Sequence, residues 1–334
     1  MIVAFATSLV FTYYYFLFTH EYQPGSSTRI SNFTADKVFQ TRLLIPLLGS
    51  FLSPFIPFLE FFFANIVPYP IDYEVVLQMI NVVALTITII SLPLLIGQLG
   101  FSTNYWYSLF VIIPITWNYI FINGYIDGAG LYYAYDIPSI TFFIICLILF
   151  LKKRWKLFYP IWILACLNRE SACFVSLAGF LLVLNYDNFH FKSILLKNKQ
   201  LLNHIIFQAS IWLILRVILC YIFRNNPGHF FESPHSMVEF LAKIRTEESH
   251  WAMQNPRWFL TLFAGIWIVP VLMYKYLHSL GRRLATVGII YLIILVFRSN
   301  MMETRVYNEL NVIITICTII CISNFLQKRK ISTI

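Results

Sequence analysis

The chemistry-bearing residues of this sequence stand at the edges of apolar runs, or break them. Leu167-Asn168-Arg169-Glu170-Ser171 interrupts the middle of one such run. An ion at membrane depth is expensive unless it is paired or functional. Adjacent Arg169 and Glu170 point in different directions on a helix, so one or both must reach elsewhere, to a phosphate or to a carboxylate lining a cavity. Asp136, two residues before Pro138, heads another apolar run and reads as its N-cap, with Asp127 upstream. Glu21 and Asp36 follow the first apolar run, and each is a candidate general base. Near the last run lie Arg298, Glu303, Arg305 and Glu309. The two arginines suit a phosphate at an interface, whereas Arg305 and Glu309 are also spaced to pair with each other along a helix. Arg216, in mid-run, is expected to meet a carboxylate or a lipid phosphate.

The elements that carry these residues follow from composition. With 59% hydrophobic and 12% charged residues over 334 positions, the chain reads as all-α: a polytopic transmembrane helical bundle forming a single membrane domain, 1–334. The six cysteines fall inside apolar runs without metal-ligand spacing, and His20, His229, His235 and His250 form no HxxxH or HExxH pair, so no metal site is expected. A divalent ion is left undecided. Basic residues sit in short loops as a topology signal, not as a nucleic-acid patch, despite the net charge of +9.

Spans are expected at 2–18, 75–97, 105–122, 137–151, 204–223, 258–274, 284–297 and 309–326. The proline-broken stretch 43–74 reads as interfacial helices in a first outer loop. Counting back from Gln327-Lys328-Arg329-Lys330, placed in the cytoplasm, puts both Lys152–Lys156 and the loop 187–203 on that side. The segment 158–186 must therefore enter and return, as a re-entrant helix pair with Asn168-Arg169-Glu170 at its tip. All but two of the 15 acidic residues then fall in outer segments, the exceptions being Asp187 and Glu170, so the chemistry is expected on the outer face. The outer loop 224–257 has room for an amphipathic helix over Ser236–Trp251.

This order of features resembles the GT-C superfamily of polytopic membrane glycosyltransferases. Asp136-Ile137-Pro138 is similar to the Asp-Ala-Pro-like opening of a span, and Leu167-Asn168-Arg169-Glu170 to the Asn-Lys/Arg-Glu-like turn. The likeness covers 1–186 as a catalytic module, with 187–334 as C-terminal spans. It also extends to uncharacterised bacterial membrane proteins in which Arg42–Pro46 and Arg305–Leu310 patterns recur. The usual Asp-Glu doublet of the first loop is absent, which leaves Glu21 and Asp36 as rivals. The resemblance implies an inverting transfer of sugar from a polyprenyl-phosphate donor to a lipid-linked or cell-surface glycan on the outer face of a bacterial inner membrane, the C-terminus being cytoplasmic. Asp36 or Glu21 would be the base and Asp136 would position the acceptor. Asn168, Arg169, Glu170, Arg298 and Arg305 would hold the donor phosphate, and Asp127, Glu303 and Glu309 the acceptor. Partners would be membrane lipids, the lipid-linked sugar and the acceptor, with no nucleic acid. The alternatives are a transporter or flippase, or a polymerase of lipid-linked saccharides.

Overall fold

The computed structural model describes residues 1–58, 73–101, 104–126, 130–184, 198–230, 260–298 and 304–332. Long apolar runs satisfy their backbone groups internally as helices, and among the described residues only two short strands depart from this. The first run is α1 (Ile2–Phe18), followed by β1 (His20–Glu21) and three short helices, α2 (Ser27–Ser31), α3 (Lys37–Gln40) and α4 (Leu44–Leu52). Gln40 is buried and pins this first loop from within, its side chain accepting from Ala35 N at 2.9 Å and donating to Ile30 O at 2.9 Å. α5 (Tyr73–Gln98) is 26 residues long. The next run, Tyr105–Ile126, is a 3-10 turn, the short α6 (Ile112–Thr116) and a π-helix in succession. β2 (Leu131–Tyr132) pairs in parallel with β1, His20 opposite Leu131 and Glu21 opposite Tyr132.

The centre is α7 (Asp136–Leu151), whose side chains are buried nearly all round. A helix apolar on every face needs neighbours on every face. α5 supplies one side, joined by Thr88 to Thr141 at 2.9 Å and by Thr141 to the Ala84 carbonyl at 2.7 Å. The broken run supplies another as α8 (Trp155–Asn168), an extended Arg169, a 3-10 turn Glu170–Ala172 and α9 (Cys173–Val183). At the foot of α7, Phe150 packs edge-on against Trp155 and Phe158, and a Cβ added to Gly179 would run into the same ring. At its head, Asn168 Nδ2 donates to Tyr135 O at 3.0 Å. α8 therefore climbs α7 and α9 descends it, so Trp155 and Gly179 lie at one end and Asn168 at the other. Arg283 confirms the low exit of α9 by donating to Leu184 O at 2.6 Å.

α10 (Lys199–Ile222) packs outside this pair, and Asn226 beyond it returns to the first loop, donating to Ala35 O at 2.8 Å. The expected span 258–274 is not one helix. Phe263, Ala264 and Gly265 all take positive φ, which breaks the run ahead of α11 (Ile268–Leu272). A left-handed Phe263 is tolerated because its N–H is held by Asn118 Oδ1 at 2.9 Å, and Asn118 is in turn bonded to Asn311 at 3.1 Å. α12 (Ser279–Arg298) and α13 (Asn308–Ser332) close the fold against α7 and α9. Among the described residues, four helical runs, Tyr73–Gln98, Tyr105–Ile122, Lys199–Ile222 and Asn308–Lys328, are long and apolar enough to cross a membrane.

Candidate functional site

The head of α7 gathers most of the charge buried among the described residues. Asp136 is the first residue of the helix, not its cap. Tyr135 holds the N-cap position, and the Asp136 carboxylate bonds Arg169 Nη1 at 2.8 Å. The side chains of the pair are only 8% and 1% exposed, so each ion is tolerable because the other is there. The extended backbone at Arg169 is what turns its side chain away from α8 and towards α7.

Glu170, next in sequence, faces the other way, as the adjacency of the two residues requires. It is held by Arg42, whose Nε lies 3.1 Å from Oε2 and Nη2 2.6 Å from Oε1, a two-pronged bond. Arg42 Nη1 donates to the Tyr135 hydroxyl at 2.8 Å. The guanidinium also lies over the rings of Phe39 and Tyr135, at 5.5 and 5.1 Å from their centroids. Arg42 thus ties the first loop to the tip of the broken run and to the head of α7. Its side chain is 10% exposed, whereas that of Glu170 is 40% exposed, so the open side of this pair is the carboxylate's.

Glu309 lies at the start of α13. It accepts hydrogen bonds from the hydroxyls of Ser171 and Tyr291 and is buried. Asn308 beside it donates to Asp136 O at 3.1 Å and to Ser139 Oγ at 2.8 Å, and Asn168 holds Tyr135 from the opposite side. Beneath Arg169, Ser139, Phe142, Val175 and Glu309 help line a gap with room for about one water molecule. The gap is too small to admit a sugar ring.

The other expected site residues stand apart from this network. Glu21, in β1, accepts from Ser27 N at 3.0 Å, and burial raises its pKa above the ordinary carboxylate value, with Glu74 adding to the rise and the Ser27 bonds opposing it. Asp36 is the N-cap residue of α3, without a side-chain cap bond, and lies against Gly228. The side-chain contacts described for Glu21 stay within the first loop, and the contacts of Asp36 within that loop and to Gly228. Asp136 and Glu309 are buried inside the fold. Arg216, expected to meet a carboxylate or a lipid phosphate, donates to Cys166 O at 2.6 Å. Asp127, Glu303 and the Ser236–Trp251 segment lie outside the described residues, as do the side chains of Arg298 and Arg305. Arg42 and Tyr291 were not singled out as site residues; the signal for Arg42 was its place in the Arg42–Pro46 pattern, and Tyr291, inside an apolar run, gave none.

Fold and site define an all-α membrane protein with a network of arginines and carboxylates at the head of its central helix. No protein family, characterised protein or solved structure matches the chain.

Proposed function

We propose that the chain is a membrane glycosyltransferase of the GT-C kind, a polytopic bundle that moves a sugar from a polyprenyl-phosphate donor to a lipid-linked or cell-surface glycan on the outer face of a bacterial inner membrane. The observation that carries the reading is the buried network of Arg42, Arg169, Glu170 and Asp136 at the turn of a helix pair that climbs α7 and comes back. In a membrane, that pair is re-entrant, its tip opens to the outer side, and the C-terminus is cytoplasmic. Guanidinium groups preorganised in a dry site stabilise charge that develops on a leaving phosphate, without reorganisation at the moment of reaction.

The reaction removes a proton from an acceptor hydroxyl, whose oxygen attacks the anomeric carbon. The bond from that carbon to the phosphate oxygen breaks, and polyprenyl phosphate leaves with the electron pair. A base near neutral pH is best served by a carboxyl with a raised pKa, which favours Glu21 over Asp36 in the first loop. Asp136, engaged by Arg169, orients that arginine and the head of α7, and Arg169 with Arg42 neutralises the departing phosphate.

The test is mass spectrometry of lipids and surface glycans from cells carrying the wild type, no protein, or the Glu21→Gln, Asp36→Asn or Asp136→Asn variants at matched, folded levels. Loss of a glycan product with the protein absent, and with Glu21→Gln, is expected. Identical products from all five strains would falsify the assignment.

A further inference from the structure

The network holds one arrangement that folding alone does not explain. Arg216 lies in the middle of α10, a helix that presents Leu213, Val217 and Ile218 outward and is mostly unburied. A guanidinium in such a helix is costly in a membrane unless an anion or several acceptors meet it. Arg216 has Cys166 O for Nη2, but its Nε is buried without a hydrogen-bond acceptor. One turn before it, Trp212 Nε1 donates to the Glu170 carbonyl at 3.1 Å, which brings α10 against the same turn that presents Glu170 to Arg42. The Glu170 carboxylate sits in the field of Arg42, Arg216 and Arg169 together.

We propose that Arg42 and Arg216 are the two arms of a seat for the phosphate of a membrane-embedded lipid phosphate, and that Glu170 fills the seat when no lipid is bound. The geometry supports exchange at this position. Glu170 offers two oxygens to the fork of Arg42, as a phosphate monoester does, and it is the partly exposed member of the pair, so it can turn outward as a phosphate moves in. The helices on either side are apolar outward, through Leu47, Leu48 and Phe51 on α4 as well as the α10 residues, which suits a lipid chain rather than a free anion. The arriving phosphate supplies an acceptor for Arg216 Nε that the closed form lacks. Arg42 and Arg216 are thus binding residues, and Glu170 is an exchangeable internal anion. The inference deepens the donor reading given above and rests on it for the choice of lipid.

Native mass spectrometry of the full chain in detergent tests this with four probes: a long-chain polyprenyl phosphate, the corresponding polyprenol, dioleoyl phosphatidic acid and inorganic phosphate. Polyprenyl phosphate is expected to bind the wild type, Arg216→Met to weaken it about tenfold, and Glu170→Gln, which removes the competing charge, to tighten it by a similar factor. Arg42→Lys should weaken binding too. If that buried variant fails to fold, Arg216→Met and Glu170→Gln decide alone, their folding checked by thermal unfolding. Polyprenol and inorganic phosphate should not bind. Phosphatidic acid binding as tightly as polyprenyl phosphate, with the same response to the variants, keeps the seat and makes it a general lipid-phosphate site. Unchanged binding in both Arg216→Met and Glu170→Gln overturns the seat, and so does inorganic phosphate binding as well as the lipid. Sugar transfer that survives with no Arg216 or Glu170 effect on binding removes this inference alone, whereas the predicted binding pattern without any transfer removes the transferase and leaves the seat.

Discussion

Arg169 and Asp136 are each the condition for the other's burial, and that mutual dependence is measurable. Removing one partner of a buried ion pair leaves an uncompensated charge, at a cost of about 3–5 kcal/mol, while removing both costs less. Arg169→Met and Asp136→Asn should each lower the unfolding temperature more than the double variant does, and additive losses in that cycle would mean that the two are not coupled. Glu21 gives a pH signature. Its folded pKa is raised by burial, so its contribution to stability is full below the unfolded carboxylate value and is lost as pH rises through the folded one. Glu21→Gln keeps an acceptor for Ser27 N and removes the titration. The variant should therefore unfold at a higher temperature than the wild type at neutral pH, with the gap closing on acidification, and a gap that widens in acid contradicts the burial argument. At this scale the sequence reading went as far as adjacency allows. That Arg169 and Glu170 must part company follows from helix geometry, and the structure sends them to Asp136 and Arg42. Their partners lie 33 and 128 residues away in the chain, at distances no local spacing encodes. The same limit explains Glu309, whose partner Tyr291, on another helix, was invisible in the sequence.

The broken run is the element on which the site depends. Its turn at Asn168–Ala172 was legible because charges do not sit idly in apolar sequence. Its path back down α7 depends on close packing, since Gly179 lies where a side chain would meet Phe150. Gly179→Ala should destabilise the fold by about 1–3 kcal/mol through overpacking, and Phe150→Leu in the same chain should recover part of the loss, as thermal unfolding would register. If Gly179→Ala were neutral, α9 would not run along the foot of α7. The segment after residue 260 shows the opposite case. Its apolar composition reads as an unbroken span, with Gly265 and Pro270 as the local hints of a break. The left-handed Phe263 is held at its N–H by Asn118, itself bonded to Asn311, a tertiary contact without a local signature. The first loop was legible as short proline-broken helices, but not its fastening by Gln40 and Asn226, which are ordinary polar residues until their partners are seen.

For the whole molecule, a helix pair that is re-entrant on α7, as proposed, carries a parity that can be tested. Lys153 and Lys199, both exposed, should then lie on one side of the membrane. Single cysteines at these positions, in a background with the native cysteines replaced, should both react with a membrane-impermeant maleimide from the cytoplasmic side only. Labelling of the two from opposite faces would convert the pair into a crossing helix and move the site's opening to the other side. The claim on which the functional account turns is that sugar leaves a polyprenyl phosphate at the arginines of this network. Membrane vesicles from cells expressing the protein, supplied with a polyprenyl-phosphate sugar radiolabelled in the sugar, test it directly. Label should move from the polyprenyl-phosphate pool into another lipid or glycan with the wild type and stay in that pool with folded Glu21→Gln or Arg169→Met. Label that stays in the pool with the wild type, or leaves it equally fast with both variants, contradicts the account.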